Sequence, residues 1–206
     1  MRANRPGRAG FILAGGESSR MGQNKALLHL GGEPLILRLA RMVRSVTGTA
    51  ATVVGPPEVY TPLRLRAIRD DWPGAGPLGG IATALRASES QWNLIIACDL
   101  PYLSVDWLQY LTRRAQESDC DVVMAITAGG PEPLCAMYRK TGESAIWLAL
   151  DRGARKVTDA LASLRIEYLE PSDWKCFESD GLLFKNMNSS SDYEEAKARF
   201  GLRGER

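Results

Sequence analysis

The sequence predicts an α/β fold with a mostly parallel sheet and helices on both faces. Three observations predict it. Short apolar runs alternate with amphipathic stretches along the chain. Several of those runs end in loops rich in glycine, proline or aspartate. And no repeat, low-complexity segment or long polar linker divides the 206 residues.

The elements can be justified in order. "AGFILAG" (9–15) reads as a short buried strand. "EPLILRLARMVRSV" (33–46) places apolar residues at helical spacing with arginines on the other face. "TAATVVG" (49–55), rich in Thr and Val, is a second strand, and "GPLGGIATALRAS" (76–88) starts as a turn and becomes a helix. "NLIIACDLP" (93–101) is a buried strand stopped by proline, and "SVDWLQYLTRRAQES" (104–118) is an amphipathic helix behind a serine cap. "DVVMAIT" (121–127) is again a strand, so the order runs β-α-β-β-α-β-α-β. Beyond residue 128 the pattern loosens. "EPLCAMYRK" (132–140) reads as a strand, 142–153 and 155–164 as helices, and "RIEYLE" (165–170) as a short strand. "GLLFKNMNSSSDYEEAKARF" (181–200) reads as a strand, a loop and a closing helix capped among Ser189 to Ser191. The whole describes a single-domain, Rossmann-like three-layer sandwich over 9–200, with a disordered basic tail at 1–8 and a short tail at 201–206.

Composition excludes several classes. A net charge of +2 with 24% charged residues is too balanced for a protein that coats nucleic acid. No apolar run approaches the ~20 residues of a membrane span, and "MRANRPGR" lacks the apolar centre of a secretory signal. Cys98, Cys120, Cys135 and Cys176 form no C-x-x-C pair, which argues against zinc and a disulfide framework and for reduced thiols in the cytoplasm. His29 is the only histidine, in "ALLHLGG", a strand edge or turn. Nothing marks the nucleophile and acid that a Ser–His–Asp mechanism would need beside it.

"LAGGESSRMGQNKALL" (13–28) is the most unusual stretch. It has three glycines, no large side chain from Ala14 to Arg20, and two cations, Arg20 and Lys25. It follows the first strand, and the carboxyl ends of such strands are where open α/β sheets bind ligands. Glycine lets backbone N–H groups approach an anion closely, while Arg adds a charged fork and Lys a point charge. That suits a polyphosphate; the competing reading is a surface loop with incidental cations. The Walker pattern is excluded, because Lys25 follows Gly22 by three residues rather than one, and G-x-G-x-x-G is absent.

Two further loops fall at the same edge. "DDWPGAGPLGGI" (70–81) carries two acids and a second glycine–proline cluster, and "CDLP" (98–101) ends a buried strand with one carboxylate. An aspartate there is costly to desolvate unless it meets a cation. Asp99 is thus either a turn acid or a ligand for Mg²⁺, which prefers carboxylate, phosphate and water oxygens. Trp107 and Trp147 lie at helical spacing and read as core, whereas Trp72 sits in a loop and is open between packing and ligand stacking.

"LAGGESSRMGQNKALL", "DDWPGAGPLGGI", "CDLPYL" and "FKNMNSSSDY" together resemble the molybdenum cofactor guanylyltransferases, over about residues 10–200. The resemblance implies the nucleotide-diphospho-sugar transferase type of fold and transfer of GMP from GTP to molybdopterin, with pyrophosphate released. It implies GTP contacts at Leu13, Ala14, Gly15 and Gly16, a phosphate contact at Lys25, and a catalytic arginine at Arg20. Asp70 would be a nucleotide-binding acid, Asp99 the catalytic magnesium ligand, and Asn186 and Asn188 the molybdopterin side. Cofactor-delivery or acceptor proteins are implied as partners. One departure stands out: relatives can carry asparagine near the end of the second strand, where this chain has Val54 and Gly55.

The chemistry fits the residue types independently. A terminal phosphate is already a nucleophile at neutral pH, so no general base is required. The obstacle is to bring two polyanions together in line, which cations and backbone donors overcome. Rival readings are a cytidylyltransferase for the same cofactor, whose A-A-G start differs from "LAGG", a sugar-1-phosphate nucleotidyltransferase, and a non-catalytic nucleotide- or cofactor-binding homologue.

Overall fold

The computed structural model describes residues 7–15, 24–178 and 180–204. Strand β1 (Arg8–Leu13) is followed by a small hairpin, β2 (His29–Leu30) and β3 (Glu33–Pro34), and by α1 (Leu35–Thr47). Next come β4 (Thr52–Val54), α2 (Pro57–Tyr60), β5 (Arg66–Ile68), α3 (Pro77–Ala87) and β6 (Trp92–Ala97). The chain continues through α4 (Val105–Glu117), β7 (Val122–Thr127), β8 (Gly130–Arg139), α5 (Glu143–Asp151) and α6 (Val157–Leu161). It closes with β9 (Ile166–Leu169), α7 (Pro171–Trp174) and α8 (Ser190–Gly204).

The main sheet has seven strands in the order β5-β4-β1-β6-β8-β7-β9. β1 pairs in parallel with both β4 and β6, placing Leu13 opposite Val54 on one side and Ala97 on the other. β4 pairs in parallel with β5, and β7 with β9. Only β8 runs antiparallel, wedged between β6 and β7. Alternate residues of these strands face opposite layers. Ile12, Val53, Leu94 and Ile96 join the core under α1 and α4, whereas Phe11, Val54 and Ile95 join the core under α3, α5 and α6. The three-layer α/β sandwich is thus found as expected.

Local chemistry accounts for the helices. In α1, Leu35, Ile36, Leu39, Ala40 and Val43 form the buried stripe, and Gly48 ends the helix at φ 75°, its N–H donating to Arg44 O. Ser104 caps α4 by accepting the Trp107 N–H at 3.2 Å. Ser189 caps α8: its Oγ accepts the Asp192 N–H at 3.2 Å while Asp192 accepts the Ser189 N–H at 2.8 Å. Trp107 is fully buried, as its helical spacing predicts.

Several details differ from the sequence reading, among them Glu33 and Pro34, which form β3 rather than the first turn of a helix. β1 starts at Arg8, which had been read as tail, because the strand continues in register to the Arg8–Trp92 pair. α8 runs on to Gly204, past the expected end at 200. β5 supplies the strand that the predicted order contained without a range. Among the described residues no strand forms after Gly181. There the Lys185 N–H turns back to Leu182 O and the Met187 N–H goes to Asp99 O, so the backbone bonds to a loop and to itself rather than to a sheet edge.

Candidate active site

The parallel pairing brings the carboxyl ends of β1, β4 and β6 side by side. The Ala14 N–H donates to Val54 O at 2.9 Å and the Cys98 N–H to Leu13 O at 3.0 Å. Leu13 turns its side chain toward α3, where a Cβ at Gly80 would come within 3.1 Å of it. Gly15 is exposed just beyond. Gly55, at the end of β4, has no space for a side chain: a Cβ would lie 2.9 Å from Ala14 O and 3.0 Å from the Tyr60 ring. Gly16 and Arg20 lie outside the described residues.

Lys25 and Asp99 lie at the same edge, near enough for the lysine charge to act on the carboxyl. Lys25 opens a short 3₁₀ turn, Lys25–Leu27, whose cap is Asn24: Asn24 Oδ1 accepts the Ala26 N–H at 3.1 Å. Asp99 follows the end of β6 and is half-buried. Burial pushes its carboxyl above the usual carboxylate range, and the Lys25 charge pulls it back. The neighbouring Cys98 thiol is pushed up to about 12, by burial first and then by the Asp99 charge. It stays protonated at neutral pH and is no nucleophile.

The closing segment reaches the same place. Lys25 Nζ donates to Asn188 Oδ1 at 2.8 Å, and the Met187 N–H donates to Asp99 O at 2.8 Å. Met187 is 1% exposed, whereas Asn186 and Asn188 on either side of it are exposed. Alternation about one buried residue puts both amides on the open side of the segment. α8 holds this segment from behind, and its Tyr193 hydroxyl donates to His29 O at 3.2 Å on the β2–β3 hairpin.

Asp70 is placed differently from the others. Its Oδ1 accepts the Trp72 N–H and the Thr83 hydroxyl, both at 2.9 Å, so that oxygen ties the loop after β5 to α3. Trp72 packs edge-on against Trp147, with centroids 5.0 Å apart, and Arg86 lies over the Trp147 ring. Both indoles are partly buried, and both face an open pocket that Lys140, Leu148 and Asp151 also line. Sequence reasoning missed Tyr60 and Asn24. Asn24 had a local signal, a capping residue type just before the "KALL" run; Tyr60, in another helix, had none.

A lysine and a half-buried carboxylate at the carboxyl edge of a mostly parallel sheet mark an α/β protein with its residues gathered where such sheets bind ligands. Residues 10–165 match the family described as the MobA-like NTP transferase domain, and the chain belongs to that family. It is therefore a nucleotidyltransferase by descent. A probable molybdenum cofactor guanylyltransferase of Carboxydothermus hydrogenoformans is 36% identical over 194 residues, 93% of this chain and 96% of the relative. One from Synechococcus elongatus is 35% identical over 193 residues, 90% and 96% of the two chains. The crystal structure of molybdopterin-guanine dinucleotide biosynthesis protein A from Archaeoglobus fulgidus shares the fold. Its TM-score is 0.79 at 24% identity, covering 93% of this chain and 97% of that one. No helix among the described residues is long and apolar enough to cross a membrane.

Proposed function

We propose that the protein transfers a guanylyl group from GTP to molybdopterin, releasing pyrophosphate and forming the guanine dinucleotide form of the cofactor. The observation that carries the reading is the Lys25–Asn188 hydrogen bond, made beside Asp99. It joins a lysine suited to polyphosphate with an amide pair suited to the mixed donors and acceptors of a pterin and its phosphate. The names of the 36% and 35% identical relatives support guanine as the base.

In this reading Leu13, Ala14, Gly15 and Gly16 line the nucleotide, with backbone groups at the strand end approaching the phosphates. Asp70 keeps one carboxylate oxygen for its turn and offers the other toward the nucleotide. Lys25 holds the β- and γ-phosphates and stabilises the pyrophosphate as it departs, and Arg20 shares that task on the strength of its place in the motif. Asn186 and Asn188 orient molybdopterin so that its terminal phosphate faces the α-phosphorus. That phosphate needs no base, and the chain's work is charge neutralisation and alignment.

Asp99 is suited to Mg²⁺. It offers hard oxygen donors, and burial raises the cost of its negative charge, which a dication would offset. When bound, Mg²⁺ would supply charge neutralisation at the α- and β-phosphates. Cofactor-delivery or acceptor proteins, and a cytoplasmic location, go with the reading.

Calorimetry with GTP, CTP, ATP and UTP in the presence of Mg²⁺ tests it, followed by pyrophosphate release on adding molybdopterin. GTP is expected to bind at least ~10-fold more tightly than CTP, or about 1.4 kcal/mol. Equal binding of the two would remove the guanylyl assignment, and absence of pyrophosphate release would remove the reaction.

A further inference from the structure

Tyr60 is fully buried at the end of α2, yet its hydroxyl makes two hydrogen bonds to the site. It donates to Ala14 O at 2.9 Å, and Asn24 Nδ2 donates to it at 3.2 Å. The polarity of this chain is forced. A backbone carbonyl only accepts, so the phenol proton goes to Ala14; the phenol oxygen then accepts, so Asn24 presents its NH₂. That leaves Asn24 Oδ1 for the Ala26 N–H, which it accepts at 3.1 Å. One hydroxyl thus spans both ends of the glycine-rich segment, Ala14 on entry and Asn24 on exit. The second end is the cap of the turn that begins with Lys25. Gly55 completes the arrangement, because any Cβ there would collide with both Ala14 O and the Tyr60 ring.

We infer that Tyr60 is a positioning residue for nucleotide binding: its hydroxyl latches the two ends of the glycine-rich segment together and so aims Lys25 at the phosphates. Tyr60 itself touches no substrate. Burial makes the latch firm, since hydrogen bonds shielded from water are stronger and costly to leave unmade. The inference rests on the reading of Lys25 as the phosphate contact.

The test uses Tyr60→Phe, which keeps the ring and removes only the hydroxyl, and Asn24→Ser, which can still cap the turn but cannot reach Tyr60. Each is expected to weaken binding of GTP with Mg²⁺ about 5-fold, the scale of one hydrogen bond. The double variant is expected to lose no more than the worse single one, because both break one connection. Amide exchange at Ala26 should quicken in Tyr60→Phe while exchange at Ile95, in the middle of β6, stays unchanged; a general loss of packing would speed both. Wild-type GTP affinity in Tyr60→Phe, or losses that multiply in the double variant, would overturn the latch. If Tyr60→Phe does not fold, Asn24→Ser decides by the same measurements. If the wild-type protein takes up no GTP, the proposed function fails, and Ala26 exchange alone decides the latch.

Discussion

Lys25 Nζ hydrogen-bonds Asn188 Oδ1 at 2.8 Å across 163 positions of sequence. The bond joins the two ends of the fold at the carboxyl edge of β1 and β6, and the adjacent Met187–Asp99 backbone bond at 2.8 Å fixes its register. Asn188 offers the ammonium a neutral amide oxygen, with the Asp99 carboxyl near enough to feel its charge. A phosphate arriving at the site offers Lys25 a stronger, charge-assisted partner.

Lys25→Ala should therefore cost nucleotide binding more than stability. Loss of a hydrogen bond to a charged group predicts roughly 1.5–3 kcal/mol in GTP affinity, measured by calorimetry. The exposed Lys25–Asn188 bond contributes little to folding, so the thermal midpoint should fall only slightly, through loss of the lysine charge near half-buried Asp99. Unchanged GTP affinity would make the segment a mere connection.

Asn188→Ala and Asn186→Ala address the acceptor. Phosphate replaces the amide as the partner of Lys25, so GTP affinity in either variant should stay near wild type. Transfer to molybdopterin should fall about 10-fold or more, the effect of about one charge-assisted hydrogen bond. A joint fall in GTP binding and thermal midpoint would instead assign the pair to bracing α8.

Asp99→Asn separates function from stability through pH. Burial holds the Asp99 carboxyl above its ordinary value in the fold, with Lys25 opposing. The unfolded chain therefore ionises first as pH rises. The stability contribution is complete below the ordinary carboxylate range and is lost as pH climbs through the raised folded-state value. Asparagine cannot ionise, so its thermal midpoint should match wild type near pH ~3.5, below the ordinary carboxylate value, and exceed it at neutral pH. Turnover should nevertheless drop at least ~100-fold, with partial rescue by added Mg²⁺. A variant less stable than wild type at neutral pH would contradict this account of the carboxyl.

Thr83→Val tests the divided role of Asp70. Removing the hydroxyl deprives Asp70 Oδ1 of one donor and the Asp71 N–H of its acceptor, at 2.9 and 3.0 Å. Chemical denaturation should register about 1–2 kcal/mol. The Asp70 carboxylate itself remains, so GTP affinity should fall less in Thr83→Val than in Asp70→Ala. Equal losses would mean that Asp70 acts only as a turn acid.

Much of this architecture was legible in the chain because it depends on local periodicity. The stripe of α1, the Ser104 and Ser189 caps and the unbroken burial of β6 all follow from neighbouring residues. The segment after Gly181 misled, since the apolar run Leu182, Leu183 and Phe184 looks strand-like. Its backbone partner is the Asp99 carbonyl, which no local pattern reveals.

By itself the sequence determined the α/β class, most of the main strands and helices and the residue types suited to polyphosphate, because hydrophobic spacing, caps and the glycine–lysine–aspartate chemistry are written within short windows. Only the tertiary structure decided that Lys25 meets Asn188, that Asp70 is half occupied by Thr83, and that a buried tyrosine from α2 ties Ala14 to Asn24. Those pairings depend on parallel strands bringing distant loops to one edge. They also depend on a water-poor interior where each polar group must find a partner wherever the chain supplies one.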